Sequence, residues 1–203
     1  IFYNPGSLSF LQNKYNFTLG ASGILSNHIF RMKNTDYEER TDNPLSTPFG
    51  IYGSGKITDK ISIGVGAYTP YGSSAKWPEE WAGRYLVQDI SLMAVFIQPT
   101  VSYQITDKIG IGAGFIYATG NVKLNRAIPD VNNAIAELDG NTSSIGFNVG
   151  MYFKPHEKLS FGVNYRSKII MEVEEGDATF RDVPTALQTS IPADNTFGAE
   201  LPL

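Results

Sequence analysis

The sequence predicts an all-β fold, a transmembrane antiparallel β-barrel, and three observations carry that expectation. The phrase Ile-Thr-Asp-Lys-Ile-x-Ile-Gly-x-Gly runs from Ile57 to Gly66 and again from Ile105 to Gly114. A looser copy spans Pro155 to Gly162, so Lys60, Lys108 and Lys158 recur at intervals of 48 and 50 residues. Each copy is a tight polar turn flanked by runs in which large apolar residues alternate with Gly or Ser, the period-2 mark of a strand. The repeating unit is therefore two strands and a turn, and its length far exceeds two ordinary strands of about 5 to 6 residues. Finally, no apolar run approaches the ~20 residues of a membrane helix, so a chain of this kind crosses a bilayer with strands.

The elements follow from the repeats. An up strand is expected from Tyr15 to Lys33, a polar loop from Asn34 to Pro48 and a down strand from Phe49 to Ile57. After the first Thr-Asp-Lys turn, Ile61 to Gly72 goes up, Ser73 to Gln88 forms a loop with both Trp residues, and Asp89 to Ile105 goes down. Ile109 to Arg126 rises again; a loop with a short helix around Val131 to Leu138 leads to a down strand from Ser143 to Lys154. The Pro-His-Glu-Lys turn then feeds Leu159 to Glu174, the seventh strand, and Glu175 to Leu203 reads as a Pro-rich loop.

Alternation assigns two faces. Ile61, Ile63, Val65 and Ala67 oppose Ser62, Gly64 and Gly66, and Ile109, Ile111, Ala113, Phe115 and Tyr117 oppose Gly110, Gly112 and Gly114. Leu159, Phe161, Val163 and Tyr165 likewise oppose Ser160, Gly162, Asn164 and Arg166. One face suits lipid, and the small face leaves room for something filling a lumen. A soluble antiparallel sandwich also alternates, but strand length, a Gly-rich second face and Tyr and Trp near strand ends favour the membrane reading.

Composition narrows the rest. The absence of cysteine rules out disulfides and thiolate metal sites, and a net charge of -4 offers no basic surface for nucleic acid. His28 and His156 have no nucleophile or carboxylate placed beside them by sequence, so neither catalysis nor a cofactor is expected, and no metal-ligand spacing is visible. Asp36, Glu38, Glu39 and Asp42 read as a solvated acidic loop. The abrupt opening at Ile1-Phe2-Tyr3 and the equally abrupt end lead us to expect an internal piece of a longer protein.

Several motifs in order resemble one family. They are Asn4-Pro5-Gly6-Ser7-Leu8 ahead of the first strand, Tyr68 to Gly72 in the third strand, Trp81-Ala82-Gly83-Arg84-Tyr85 in the loop beyond it and Tyr165-Arg166-Ser167 in the seventh strand. Together they resemble the FadL/TodX family of outer-membrane transporters for long-chain fatty acids and other hydrophobic compounds. The resemblance implies a fourteen-strand barrel plugged by an N-terminal hatch, with residues 1–14 ending the hatch and residues 15–203 forming the first half of the wall. It implies a monomeric barrel in a Gram-negative outer membrane, among its lipid and lipopolysaccharide, carrying hydrophobic small molecules passively. Gly6 stands where the family usually has Ala, a small change that keeps the backbone close-packed but leaves room for a looser hatch.

The same resemblance assigns candidate sites. Asn4, Pro5 and Gly6 would shape and gate the hatch. A kinked third strand would open the wall sideways at Tyr68, Pro70, Tyr71 and Gly72; Pro70, which cannot donate to a ladder, equally suits a strand end. Trp77, Trp81 and Tyr85 suit an apolar landing surface with Arg84 meeting a carboxylate, or interfacial and loop packing. By parity Phe96 and Ile116 point inward, as a greasy path or as packing against the hatch. Arg126 has lumenal parity and suits carboxylate capture, whereas Arg166 and Lys168 share a face with Glu172 and Glu174 and suit ion pairs. A structural or adhesive barrel is the competing function, and a water-filled porin a third. A continuous apolar lumen favours transport, and an ion-paired, sealed one favours adhesion.

Overall fold

A computed structural model describes residues 3–129, 134–184 and 195–202, the last stretch and residues 174 and 175 by backbone alone. After a 3-10 helix at Pro5–Phe10 come β1 (Tyr15–Ala21), β2 (Ile29–Arg31), β3 (Glu38–Arg40), β4 (Phe49–Lys56), β5 (Ile61–Lys76) and β6 (Asp89–Thr106). They are followed by β7 (Ile109–Ala127), β8 (Ile135–His156), β9 (Leu159–Arg166), β10 (Ile170–Arg181) and β11 (Asn195–Pro202). One antiparallel sheet runs β1-β4-β5-β6-β7-β8-β10-β11 with β9 also on β8, and β2 and β3 form a separate hairpin. No described helix is long and apolar enough to cross a membrane, which leaves strands to do so.

The alternation places side chains as the sequence predicts. Phe17, Ile63, Val101, Phe115, Phe147 and Phe161 are exposed on one face, while Phe96, Gln98, Ile116, Ala118 and Asn148 are buried on the other. From Ile109 to Tyr117 the outward side chains of β7 are apolar, and above them stand Asn121 and Lys123, the latter paired with Asp139 at 2.8 Å. At normal barrel tilt that stretch spans roughly 25 Å, the height of an outer-membrane hydrocarbon band. The short turns repeat one device: the Thr58 and Thr106 hydroxyls each accept amide hydrogen bonds from the two following turn residues, Lys60 and Ile61 in one case and Lys108 and Ile109 in the other.

Four expectations need correction. The first up strand ends at Ala21 rather than Lys33, and the expected loop contains β3; the β2–β3 hairpin is held by Arg31 and Arg40 on Glu38. Ile135 to Leu138 of the expected short helix are strand, fixed by their register with Leu124 to Ala127, and the rest of that helix up to Asn133 lies outside the described residues. The seventh strand is not continuous: β9 ends at Arg166 and β10 begins at Ile170. Among the described residues beyond Glu175 most are strand, since β10 runs to Arg181 and β11 pairs with it.

Candidate functional site

The inward face is built in layers, lowest at the turns. Pro5–Phe10 lies against β6, β7 and β8, and glycines make that possible. A Cβ on Gly112 would lie 2.5 Å from the Pro5 carbonyl, one on Gly110 2.6 Å from the Gly6 oxygen, and one on Gly6 2.8 Å from the Gly150 oxygen. Backbone therefore packs on backbone with no room for a methyl group. Asn4 pins the entry to the helix: its Nδ2 donates to the Met151 carbonyl at 3.0 Å and its Oδ1 accepts from the Gly6 amide at 2.9 Å. Ser102 adds a bond from its hydroxyl to the Gly6 carbonyl. Gly6 is thus closely packed in this seat, with no room for the Cβ of an Ala unless the backbone shifts.

Above the seat is a polar layer. The Tyr68 hydroxyl donates to Gln98 Oε1, Gln98 Nε2 donates to Asn148 Oδ1, and the Arg166 guanidinium lies close enough to act on Tyr68. Gln98, Thr100 and Asn148 converge over Gly114, where any Cβ would displace them. Higher still comes an apolar layer of Tyr68, Ala94, Phe96, Ile116, Ala118, Ile169 and Met171. Phe96 and Ile116 point inward as parity predicts, into packing against other side chains.

The β1–β4–β5 side is different. A cavity of about 890 Å³ lies between the N-terminal segment, at Asn4, Leu8 and Leu11, and the strands, at Gly20, Tyr52 and Pro70. At its upper end the wall changes. The β4–β5 ladder stops at Gly50 opposite Tyr68, and β5 is next held on that side at Lys76, whose amide donates to Asn43 and whose carbonyl accepts from Asp42. Thr69 ends the ladder with its side chain, Oγ1 accepting the Phe49 amide at 2.8 Å. Opposite β6 a bulge falls between Tyr68 and Tyr71, so that Thr69 and Pro70 of β5 face the single residue Val95 of β6. Pro70 sits in that bulge, where the missing N–H costs no ladder bond.

Comparison with known proteins agrees with this architecture. The family model described as "Outer membrane protein transport protein (OMPP1/FadL/TodX)" matches residues 1–201. The chain belongs to the FadL/TodX family. Among solved structures it is similar to a Pseudomonas aeruginosa FadL homologue, with 16% identity, a TM-score of 0.72, and coverage of 99% of this chain and 57% of that one. It is similar to the Ralstonia pickettii toluene transporter TbuX at 14% identity and a TM-score of 0.70, covering 99% of this chain and 58% of that one. For the Pseudomonas putida toluene transporter TodX the values are 17% and 0.68, with 100% and 55% covered. The chain therefore spans somewhat more than half the length of these solved relatives. No curated protein matches it in sequence. The family is one of outer-membrane transport proteins.

The remaining candidates of this FadL/TodX chain lie toward the upper ends of the strands and in the loops beyond them. Trp81 is buried, stacked on Trp77 at 4.2 Å and edge-on to Phe30 of the β2–β3 hairpin at 5.6 Å, with its Nε1 donating to the Val87 carbonyl. It therefore packs the loop onto the hairpin, and the exposed apolar groups there are Tyr85 and Leu86. Arg84 lies over the Tyr85 ring at 4.6 Å and bonds its hydroxyl. Arg126 is exposed at the top of β7, opposite Ala136, well above the polar layer. Tyr71 turns toward Phe96, and Gly72 follows in the strand beside the opening. Among the described residues no group of His, Asp and Glu is placed to hold a metal ion.

Sequence reasoning missed two things. Arg166 acts on Tyr68, and the break after Arg166 shifts parity by one residue and puts Lys168 and Glu172 on the outer side. The side chain of Glu174 lies outside the described residues. The glycine seat was legible only as a small second face; its precise use depends on where the N-terminal segment lands.

Proposed function

We propose that the complete protein moves hydrophobic compounds across the outer membrane by passive diffusion, with long-chain fatty acids as substrates, and that they leave sideways through the wall at Thr69 to Ala75. The observation that carries this reading is the cavity of about 890 Å³ that runs beside the N-terminal segment and ends at the interrupted β4–β5 ladder. Its volume falls within the range of small-molecule sites, about 300 to 1,000 Å³, which accommodates a long alkyl chain. Residues 1–14 act as the hatch and residues 15–203 as the first half of the wall, surrounded by outer-membrane lipid and lipopolysaccharide in a monomeric barrel. Asn4, Pro5 and Gly6 anchor the hatch rather than move it, while Tyr85 and Leu86 offer the outer landing surface, with Arg84 and Arg126 as the cations nearest the exterior.

A second substrate reading has its own support. None of the described residues lining the cavity is cationic, which favours uncharged aromatic hydrocarbons over a carboxylate; two of the similar solved structures are toluene transporters. Uptake of labelled oleate and of toluene, by a Gram-negative host lacking its own transporter and expressing the full-length protein, separates the two. Oleate uptake supports the first, toluene alone the second, and neither, with the barrel inserted, refutes transport.

A further inference from the structure

The wall is interrupted a second time, between β8 and β10. The β8–β9 ladder stops at Asn148 opposite Arg166, and pairing resumes only at Asp139 opposite Asp177. The break begins with the device seen at the first: Phe147 donates its amide to the Ser167 hydroxyl at 3.0 Å, as Phe49 does to Thr69. Across the gap the Thr142 hydroxyl bonds the Glu172 carbonyl at 2.7 Å, and the outer side is a polar recess of about 670 Å³ rimmed by Asn141, Ser143, Lys168 and Glu172. This recess lies above Ile145, where the apolar band ends.

On the inner side this segment, released from β8 but paired with β11 from Ile170 to Val173, folds into the lumen. Ile169, at 2% exposure, and Met171, at 0%, join the apolar layer. Small residues receive them: a Cβ on Gly146 would lie 2.7 Å from Ile169 Cγ1, and one on Gly120 2.9 Å from Met171 Cε. An apolar hollow floored by Gly120, Gly146, Ala94 and Ala118 and walled by Phe96 and Ile116 is thus filled by two side chains of the wall itself. Between Gly140 and Gly146 β8 keeps its ladder with β7, but among the described residues no ladder covers its other edge, a cost that a continuous β8–β10 pairing would remove.

We propose that Ser167–Val173 is a built-in occupant of a hydrophobic binding site in the upper lumen, displaced by hydrophobic ligand as the segment swings out to pair with β8. The site takes an uncharged apolar chain or ring, since Ile169 and Met171 stand in for it. This inference rests on the transport reading above. It adds a gate above the hatch, at the opposite end of the sheet from Pro70.

The full-length protein has a direct test. Replacing Gly146 and Ile169 by cysteine places the two Cβ atoms within disulfide reach, and the described chain supplies no competing thiol. Oxidation of the G146C/I169C variant is expected to lower uptake of oleate or toluene at least tenfold, with recovery under reductant. Equal uptake in the two redox states overturns the gate. A second readout stands apart from transport: a lone M171C should gain labelling by a membrane-impermeant maleimide when oleate or toluene is added to the purified protein. Unchanged labelling overturns ligand displacement. If wild type carries neither compound the transport reading fails, and the M171C labelling still decides the gate.

Discussion

Gly112 and Gly20 face the same lumen and are surrounded in opposite ways. A side chain at Gly112 would meet Pro5 and Gly6 backbone at 2.5 to 2.8 Å, whereas a Cβ on Gly20 has nothing within 4 Å. Among the described residues the β6–β8 side is thus filled, from the seat of the N-terminal segment through the polar layer to Ile169 and Met171, and the β1–β4–β5 side lines the cavity from Gly20 to the interrupted ladder beside Pro70. The contrast teaches where movement is cheap. An N-terminal segment seated backbone on backbone resists displacement, because interiors packed to crystal density transmit any shift to their neighbours, and the proposed transport would meet least resistance on the cavity side.

The comparison can be broken most severely in the apolar layer. Phe96→Ala in the full-length protein should cost about 3 to 5 kcal/mol of unfolding free energy in denaturant titration, while Leu11→Ala on the cavity side should cost well under half of that; equal losses would erase the distinction. Gly112→Val comes next. Overpacking the seat should destabilise by about 1 to 3 kcal/mol and expose Asn4 and Ser7 to protease, whereas a folded, unperturbed variant would mean the seat is loose. Replacing Pro70 by Val returns an N–H to β5; uptake is expected to fall a few-fold with stability altered by less than about 1 kcal/mol.

The smallest effect lies outside the membrane. Glu38 is held below its usual carboxylate range, first by the Arg40 hydrogen bond and then by that from Arg31. Because the folded value is depressed, the pair supports the β2–β3 hairpin above the ordinary glutamate range, and that support fades as pH falls through the lowered value. Since Trp81 packs on Phe30 of this hairpin, the resonance of fluorotryptophan at position 81 should move on acidification. Glu38→Gln should show the same shift at neutral pH, and a resonance indifferent to both would detach the loop from the hairpin.

Much of this was legible in the sequence, for definite reasons. Strict alternation set the faces of β5 to β8, because a one-residue slip would send every apolar side chain to the wrong side. The Thr-Asp-Lys turns located the lower ends. The break after Arg166 was hidden because Ser167 replaces a backbone group with its hydroxyl, and nothing in the pattern Tyr-Arg-Ser-Lys-Ile-Ile distinguishes that from an uninterrupted strand. Trp81 looked like an exposed landing residue because its partner Phe30 lies 51 positions earlier, in a hairpin with strands too short for periodicity to reveal. For the same reason the sequence pairs Arg166 with acids of its own strand and leaves its action on Tyr68 unseen.

The cavity-side route is tested most directly at Gly20. Full-length Gly20→Trp and Gly20→Ala, both inserted in the outer membrane of a transporter-deficient host, should fold alike because the position is unobstructed. With whichever of oleate and toluene the wild type carries, the account predicts that Trp lowers uptake about tenfold or more, equivalent to about 1.4 kcal/mol, and that Ala leaves it near wild type. Wild-type uptake by the Trp variant would show that the substrate does not pass this side of the hatch.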